Sequence, residues 1–231
     1  MNILYLYPDL LNLHGDKGNI LAFEKIGKLM KVNIKVDRLD DFKEKIDFSK
    51  YDLIFISPGE LVVIKEVVKN LKKQKEELLK FLDNDKYIIC IGSSAALFAD
   101  KINIDDSFEG LGIGNFDVIS RENIFGDDLI FDFNKHQVVG SQIQVVDILP
   151  KENNTLGKTT YGYGNDGKTE GIRYHNLIIT NALGPVFIKN PWLVEEIIKD
   201  ILKNKKLEYS KINYDLEKLS NKEILEFNLM K

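Results

Sequence analysis

Apolar runs and helically spaced stretches alternate along the first hundred residues. Residues 3–7 form an unbroken apolar run, the pattern of a strand buried on both faces. A polar, turn-rich loop follows over 8–18. Ile20, Leu21, Phe23, Ile26 and Leu29 then recur at helical spacing, and 32–36 alternates as a strand does. Residues 53–56 are a short apolar run stopped by the breakers Ser57-Pro58-Gly59. Residues 61–82 read as one helix or two, and 87–91 as another buried strand. Gly92-Ser93-Ser94 turns the chain into a helix beginning at 95–99, with either serine available as N-cap. Strand and helix in this order predict an α/β fold: a mostly parallel open sheet flanked by helices. The pattern changes after Gly110. Short strand-like runs at 129–133, 138–141, 159–163 and 177–180, separated by Gly, Asn and Asp, predict added antiparallel strands in the C-terminal half. Residues 191–202 predict a helix with Pro191 in its first turn. In the tail, Leu216, Leu219, Ile224, Leu225 and Leu229 fit one helical face, which could pack on the domain or hold a partner. The expected division is a domain over 1–207 and a helical extension over 208–231.

Composition narrows the class. A chain of 231 residues, 44% hydrophobic and 29% charged, suits one globular α/β domain. The net charge of −4, with both signs interspersed, excludes the basic stripe of a nucleic-acid binder. No apolar run is long enough to span a bilayer. Cys90 is the single cysteine, so no internal disulfide can form, and a cytoplasmic location is expected.

Three segments carry a resemblance. They are Asn12-Leu13-His14-Gly15-Asp16-Lys17-Gly18-Asn19, Glu109-Gly110-Leu111-Gly112, and the stretch from Gly162-Tyr163-Gly164-Asn165 through Glu170-Gly171-Ile172 to Thr180 and Gly184-Pro185. In this order they resemble GatD, a class I glutamine amidotransferase subunit of the lipid II isoglutaminyl synthase, related to the CobB/CobQ-like amidotransferases. The resemblance runs from Ile3 to about Leu202. It implies a flavodoxin-like sheet, glutamine as the ammonia source, no cofactor and no metal. It also implies a MurT-like Mur ligase partner that amidates the D-glutamate of the peptidoglycan stem peptide.

Glutamine hydrolysis needs a thiolate at a strand-to-helix turn, a histidine to move its proton and N–H donors for the oxyanion. Where the family has His-Gly-Pro, this chain has Leu183-Gly184-Pro185, and leucine moves no proton. His14, His136 and His175 read as loop or surface residues. Two registers compete for the nucleophile. One matches Cys90 to it. The other, favoured because the turn chemistry starts at Gly92, leaves Cys90 an ordinary buried strand cysteine. On the oxyanion side Pro58 has no N–H, while Gly59 keeps one. The family's glutamine-pocket segment aligns with residues 141–146, and Arg121 reads as a surface arginine. Gly59, Gly92, Ser93 and Ser94 form a candidate seat for a small anion or ligand at the elbow, with helix capping by the serines as the competing reading. The expectation is an amidotransferase-family subunit that does not hydrolyse glutamine. The alternatives are an active glutaminase using Cys90 and a small-ligand module on the same scaffold.

Overall fold

The computed structural model describes residues 1–41, 44–104 and 106–230, and for residue 229 the backbone alone. The N-terminal half runs β1 (Asn2–Leu6), α1 (Gly18–Leu29), β2 (Lys35–Leu39), β3 (Leu53–Ile56), α2 (Leu61–Leu71), α3 (Lys75–Asp83) and β4 (Tyr87–Ile91). Then come β5 (Ile102–Asn103), the long hairpin β6 (Phe116–Phe133) and β7 (His136–Pro150), β8 (Gly157–Tyr161), β9 (Thr169–Glu170), β10 (Ile172–Tyr174) and β11 (Leu177–Thr180). Three helices close the chain: α4 (Val186–Lys189), α5 (Pro191–Ile201) and α6 (Asp215–Leu229).

The main sheet has the order β10-β11-β4-β3-β1-β2, parallel except for the edge strand β10. Because side chains alternate along a strand, β1 sends Ile3 and Tyr5 to one face and Leu4 and Leu6 to the other. One face packs under α2 and α3 through Ile64, Val67, Leu78 and Phe81. The other packs under α1 and α5 through Phe23, Ile26, Val194 and Ile198. Burying each such side chain stabilises the fold by roughly 1.5–3 kcal/mol, which is why strands enclosed on both sides read as continuous apolar runs. The second sheet is built on β6, which pairs with β7 and β8, with β5 and β9 at its ends.

Several elements differ from the sequence reading. The run at 177–180 is a strand, but it joins the main sheet parallel to β4 and only its hairpin partner β10 is antiparallel. Its four residues are all buried, a pattern that is the same for a parallel and an antiparallel strand. The segment after Gly92 is a 3-10 turn over Gly92–Leu97 instead of the start of an α-helix. The second strand lies at 35–39, later than 32–36, because Lys31 takes a left-handed turn after α1. The hairpin strands are far longer than the runs 129–133 and 138–141, since their outer halves carry polar residues on both faces.

The tail residues do not share one face. Ile224 and Leu225 are half-buried, Leu216 and Leu219 are exposed, and the side chain of Leu229 lies outside the described residues. Leu219 and Ile224 are five residues apart, about 140° around a helix. The extension is tied to the body by Tyr209 and Tyr214, whose hydroxyls donate to the two oxygens of Glu195 at 2.6 Å each. No helix among the described residues is long and apolar enough to cross a membrane.

Candidate functional site

In an open parallel sheet, ligands sit outside the carboxyl ends of the strands, where the strand order reverses. Here that point lies between β1 and β3, because the chain leaves β1 for β2 on one side and β3 on the other. The end of each strand sends a distinct feature there. Beyond β1 comes the 12–19 loop, beyond β3 comes Ser57-Pro58-Gly59, beyond β4 comes Gly92, and beyond β11 comes Leu183-Gly184-Pro185.

These pieces lock together. The Leu13 N–H donates to the Pro58 carbonyl at 3.0 Å, and the Tyr5 and Ser57 hydroxyls are 2.8 Å apart. Gly18 lies so close to Pro185 that an added Cβ would collide with its ring. The Asn19 amide oxygen accepts from the Phe187 N–H at 2.9 Å. The loop resembling the family motif therefore holds the 184–187 segment in place as well as launching α1. Asp16 in this loop is fully buried, and neither carboxylate oxygen has a hydrogen-bond partner. Burial pushes its pKa up to about 7.

The elbow is at Gly92. It takes φ +58, the left-handed conformation that glycine adopts without penalty. A Cβ built there would sit 3.3 Å from Pro58 Cβ and 3.4 Å from Leu183 Cδ2. The position where a side chain would project thus faces the ring without an N–H and Leu183, which the resemblance aligns with the family's histidine. The sequence placed these three positions in separate segments; it did not show that they come together. Leu183 is held there by a two-way backbone bridge with Ser141, at 2.7 and 3.1 Å.

Cys90 lies two residues before the elbow, inside β4, paired with Ile56 and Ile179. It is wholly enclosed in the core, and burial pushes its thiol well above the usual range. Desolvation works against the thiolate, the form that attacks and ligates. Ser93 and Ser94 are buried, and their hydroxyls donate to the carbonyls of Gly59 at 2.6 Å and Ser57 at 2.7 Å. These bonds clamp the turn onto the end of β3.

Two of the three histidines are engaged elsewhere. His136 Nε2 lies 2.9 Å from a Glu196 oxygen, and His175 sits in the β10–β11 turn against Tyr174. His14 occupies a left-handed position in the 12–19 loop. Arg121 is less of a bystander than its sequence context suggests. It pairs with Asp147 at 2.5 Å and lies over the rings of Phe125 and Tyr163 at 5.5 and 4.6 Å.

The segment aligned with the glutamine pocket is filled by its own side chains. Gln142 accepts from the Tyr163 N–H at 3.1 Å and donates to Gln144. Gln144 donates to the Gly164 carbonyl and to Asp147, both at 2.9 Å. Beside it lies a second buried network. Glu170 accepts from Thr180 Oγ1 and the Asn181 N–H at 2.7 Å each, and from Asn181 Nδ2 at 3.0 Å. Asn165 closes a two-way bond with Gly171 at 2.9 and 3.0 Å. Burial raises the Glu170 pKa against the lowering effect of these bonds. The turn at 162–165 and the Glu170-Gly171 pair are therefore one structural knot joining β9 to β11. No group of three or more His, Cys, Asp or Glu among the described residues is placed to hold a metal ion.

The comparisons agree with this architecture. No family model matches the chain. It is 27% identical over 217 residues to the curated lipid II isoglutaminyl synthase (glutamine-hydrolyzing) subunit GatD of Streptococcus pneumoniae, covering 89% of this chain and 82% of that one. It is 27% identical over 221 residues to the GatD subunit of Staphylococcus aureus, covering 94% and 90%. Among solved structures, a glutamine amidotransferase superposes with a TM-score of 0.54 at 14% identity, over 86% of this chain and 98% of its own. A glutamine amidotransferase from Thermotoga maritima gives 0.51 at 16%, over 90% and 86%. The glutaminase domain of Trypanosoma brucei CTPS with bound acivicin gives 0.52 at 11%, over 93% and 98%. The chain is GatD-like in sequence and has the fold of glutamine amidotransferases.

Proposed function

We propose that this chain is a GatD-like subunit of a lipid II amidating assembly that does not itself hydrolyse glutamine. One observation carries the reading: the elbow holds Gly92, which faces Pro58 and Leu183. Acyl transfer from glutamine needs a nucleophile, a proton acceptor and oxyanion donors converging on one carbon. The three positions that converge here supply a hydrogen atom, an aliphatic branch and a ring nitrogen with no proton. The one thiol is enclosed in β4 and pushed toward its protonated form. Members of a catalytic unit act together, so losing one typically costs several orders of magnitude in rate. In this reading the partner is a MurT-like Mur ligase that uses ATP to amidate the stem-peptide glutamate, as the resemblance to GatD implies. With no glutaminase of its own, the assembly draws on free ammonia.

The test is amidation by the complex of this chain with the Mur-ligase-like protein of the same organism, supplied with ATP and a D-glutamate-containing precursor. Ammonium salts should support amidation, glutamine should not, and Cys90→Ala should change neither rate. Glutamate release from glutamine that disappears in Cys90→Ala would sink the proposal.

A further inference from the structure

An amphipathic helix on a globular surface normally turns its apolar stripe inward. In α6 the buried contacts belong to asparagines. Asn221 and Asn228, seven residues apart and therefore on one side of the helix, are each 5% exposed. Asn221 donates to the Lys189 carbonyl at 3.0 Å and to Asn190 Oδ1 at 3.1 Å, which satisfies groups at the end of α4. Asn228 donates to Asp128 on β6 at 3.0 Å. Ile224 and Leu225, on the same side, are half-buried.

The opposite side faces outward and carries Leu216, Leu219, Phe227 and the capping residue Met230, which are 75%, 54%, 56% and 80% exposed. At about 100° per residue these four fall within an arc of about 80°. With Glu223 between them these positions step by three, four, four and three residues, one continuous stripe along the helix. Glu223 lies in the middle of the same arc and is exposed.

Glu223 decides between the possible occupants. A twofold axis that pairs Leu216 with Met230 and Leu219 with Phe227 of a second copy passes through Glu223. It would set one carboxylate against its own image in a drying interface, and like charges so placed are costly. A different chain escapes this conflict when it offers Lys or Arg at the central position. We infer that the outer face of α6 docks an amphipathic helix of the partner subunit, with apolar residues matching the stripe and a basic residue opposite Glu223. This rests on the reading of the chain as a subunit of an assembly.

The test uses the full-length chain and the tagged Mur-ligase-like protein of the same organism, co-expressed, with affinity measured on the purified complex. Leu219→Asp and Glu223→Lys alter exposed side chains, and circular dichroism checks that both variants fold as wild type does. Each is expected to weaken the complex about tenfold or more, and sedimentation should show wild type alone to be a monomer. A wild-type complex whose affinity neither substitution changes leaves the subunit reading standing and overturns the docking face. A wild-type dimer dissolved by Leu219→Asp overturns it too, in favour of a second copy. Failure of wild type to bind the ligase removes the subunit reading, and the assigned occupant with it.

Discussion

Asp16 should make this protein less stable as pH rises through neutrality, and Asp16→Asn should remove that dependence. Its carboxylate is fully buried, neither oxygen has a hydrogen-bond partner, and burial alone moves its pKa from 3.8 to about 7. The sign follows from linkage. The unfolded chain releases the proton near pH 4 and the folded protein near pH 7, so between those values the folded state binds more protons and stability falls with pH. Below pH 4 no penalty exists; above pH 7 it is complete. Raising a pKa from 3.8 to about 7 at about 1.4 kcal/mol per tenfold gives a full penalty of about 4 kcal/mol. About 3 kcal/mol of it falls between pH 5 and pH 8 by the same relation. Urea unfolding of both proteins at pH 5 and pH 8 isolates this term, because other titrating groups cancel in the difference. The asparagine brings its own unpaired amide into the site, at a cost that does not vary with pH. Wild type should therefore lose about 3 kcal/mol more than Asp16→Asn over that interval. Parallel pH profiles for the two would refute the reasoning and mean that Asp16 is solvated or paired in solution.

Cys90 should resist thiol reagents in the native protein and react at once in denaturant; native labelling at the rate of a free thiol would contradict its place in β4. Glu170→Ala strips acceptors from Thr180 and Asn181 inside the core and should cost about 3 kcal/mol by chemical denaturation; a loss under 1 kcal/mol, the range of an exposed pair, would show that the knot is hydrated. Gly15 and Gly171 both have positive φ, but an added Cβ meets nothing at Gly15 and runs into the Ile179 carbonyl at Gly171. Gly15→Ala should therefore cost about 1–2 kcal/mol in thermal melts, while Gly171→Ala should abolish cooperative unfolding, and equal melting temperatures would refute the contrast.

What could be read from the sequence was whatever one period or one turn residue encodes. β1, β3 and β4 were visible because parallel strands buried on both faces are continuous apolar runs. The elbow at Gly92 was visible because breaker chemistry starts there and nowhere inside 87–91. The orientation of β11 was not, since four buried residues look alike in either direction and only pairing to β4 settles it. The outer half of β6 was hidden by residues such as Glu122, Asn123 and Asp127, polar positions on a hairpin largely open to solvent. Nor could the sequence show that Arg121 meets Asp147 and Tyr163, or that Gln142 and Gln144 fill the segment aligned with the pocket. Those are contacts between positions about twenty to forty residues apart, and no local pattern records them. Asp16 is legible as part of a motif, but its missing partners are a property of packing alone.

In the proposed reading the residues at the elbow belong to one another. A side chain at Gly92 would meet Pro58 and Leu183 at van der Waals distance, so the space in front of the elbow is lined there by apolar atoms. Placing a polar side chain alone into such a patch buries a group with nothing to bond, at a cost of about 1–3 kcal/mol. A histidine at 183 would face no thiol, and a cysteine at 92 would face no base while adopting a backbone angle that disfavours side chains. Each substitution thus removes the advantage of reversing the others, and the surrounding clamps do not depend on the chemistry. Ser93 and Ser94 hold the turn to β3, Asn19 holds the 184–187 segment, and the Ser141 bridge holds Leu183. The scaffold keeps its shape at the carboxyl ends of the strands with Gly92, Pro58 and Leu183 at its centre, and in the proposed reading that shape serves the surface the subunit presents to its assembly.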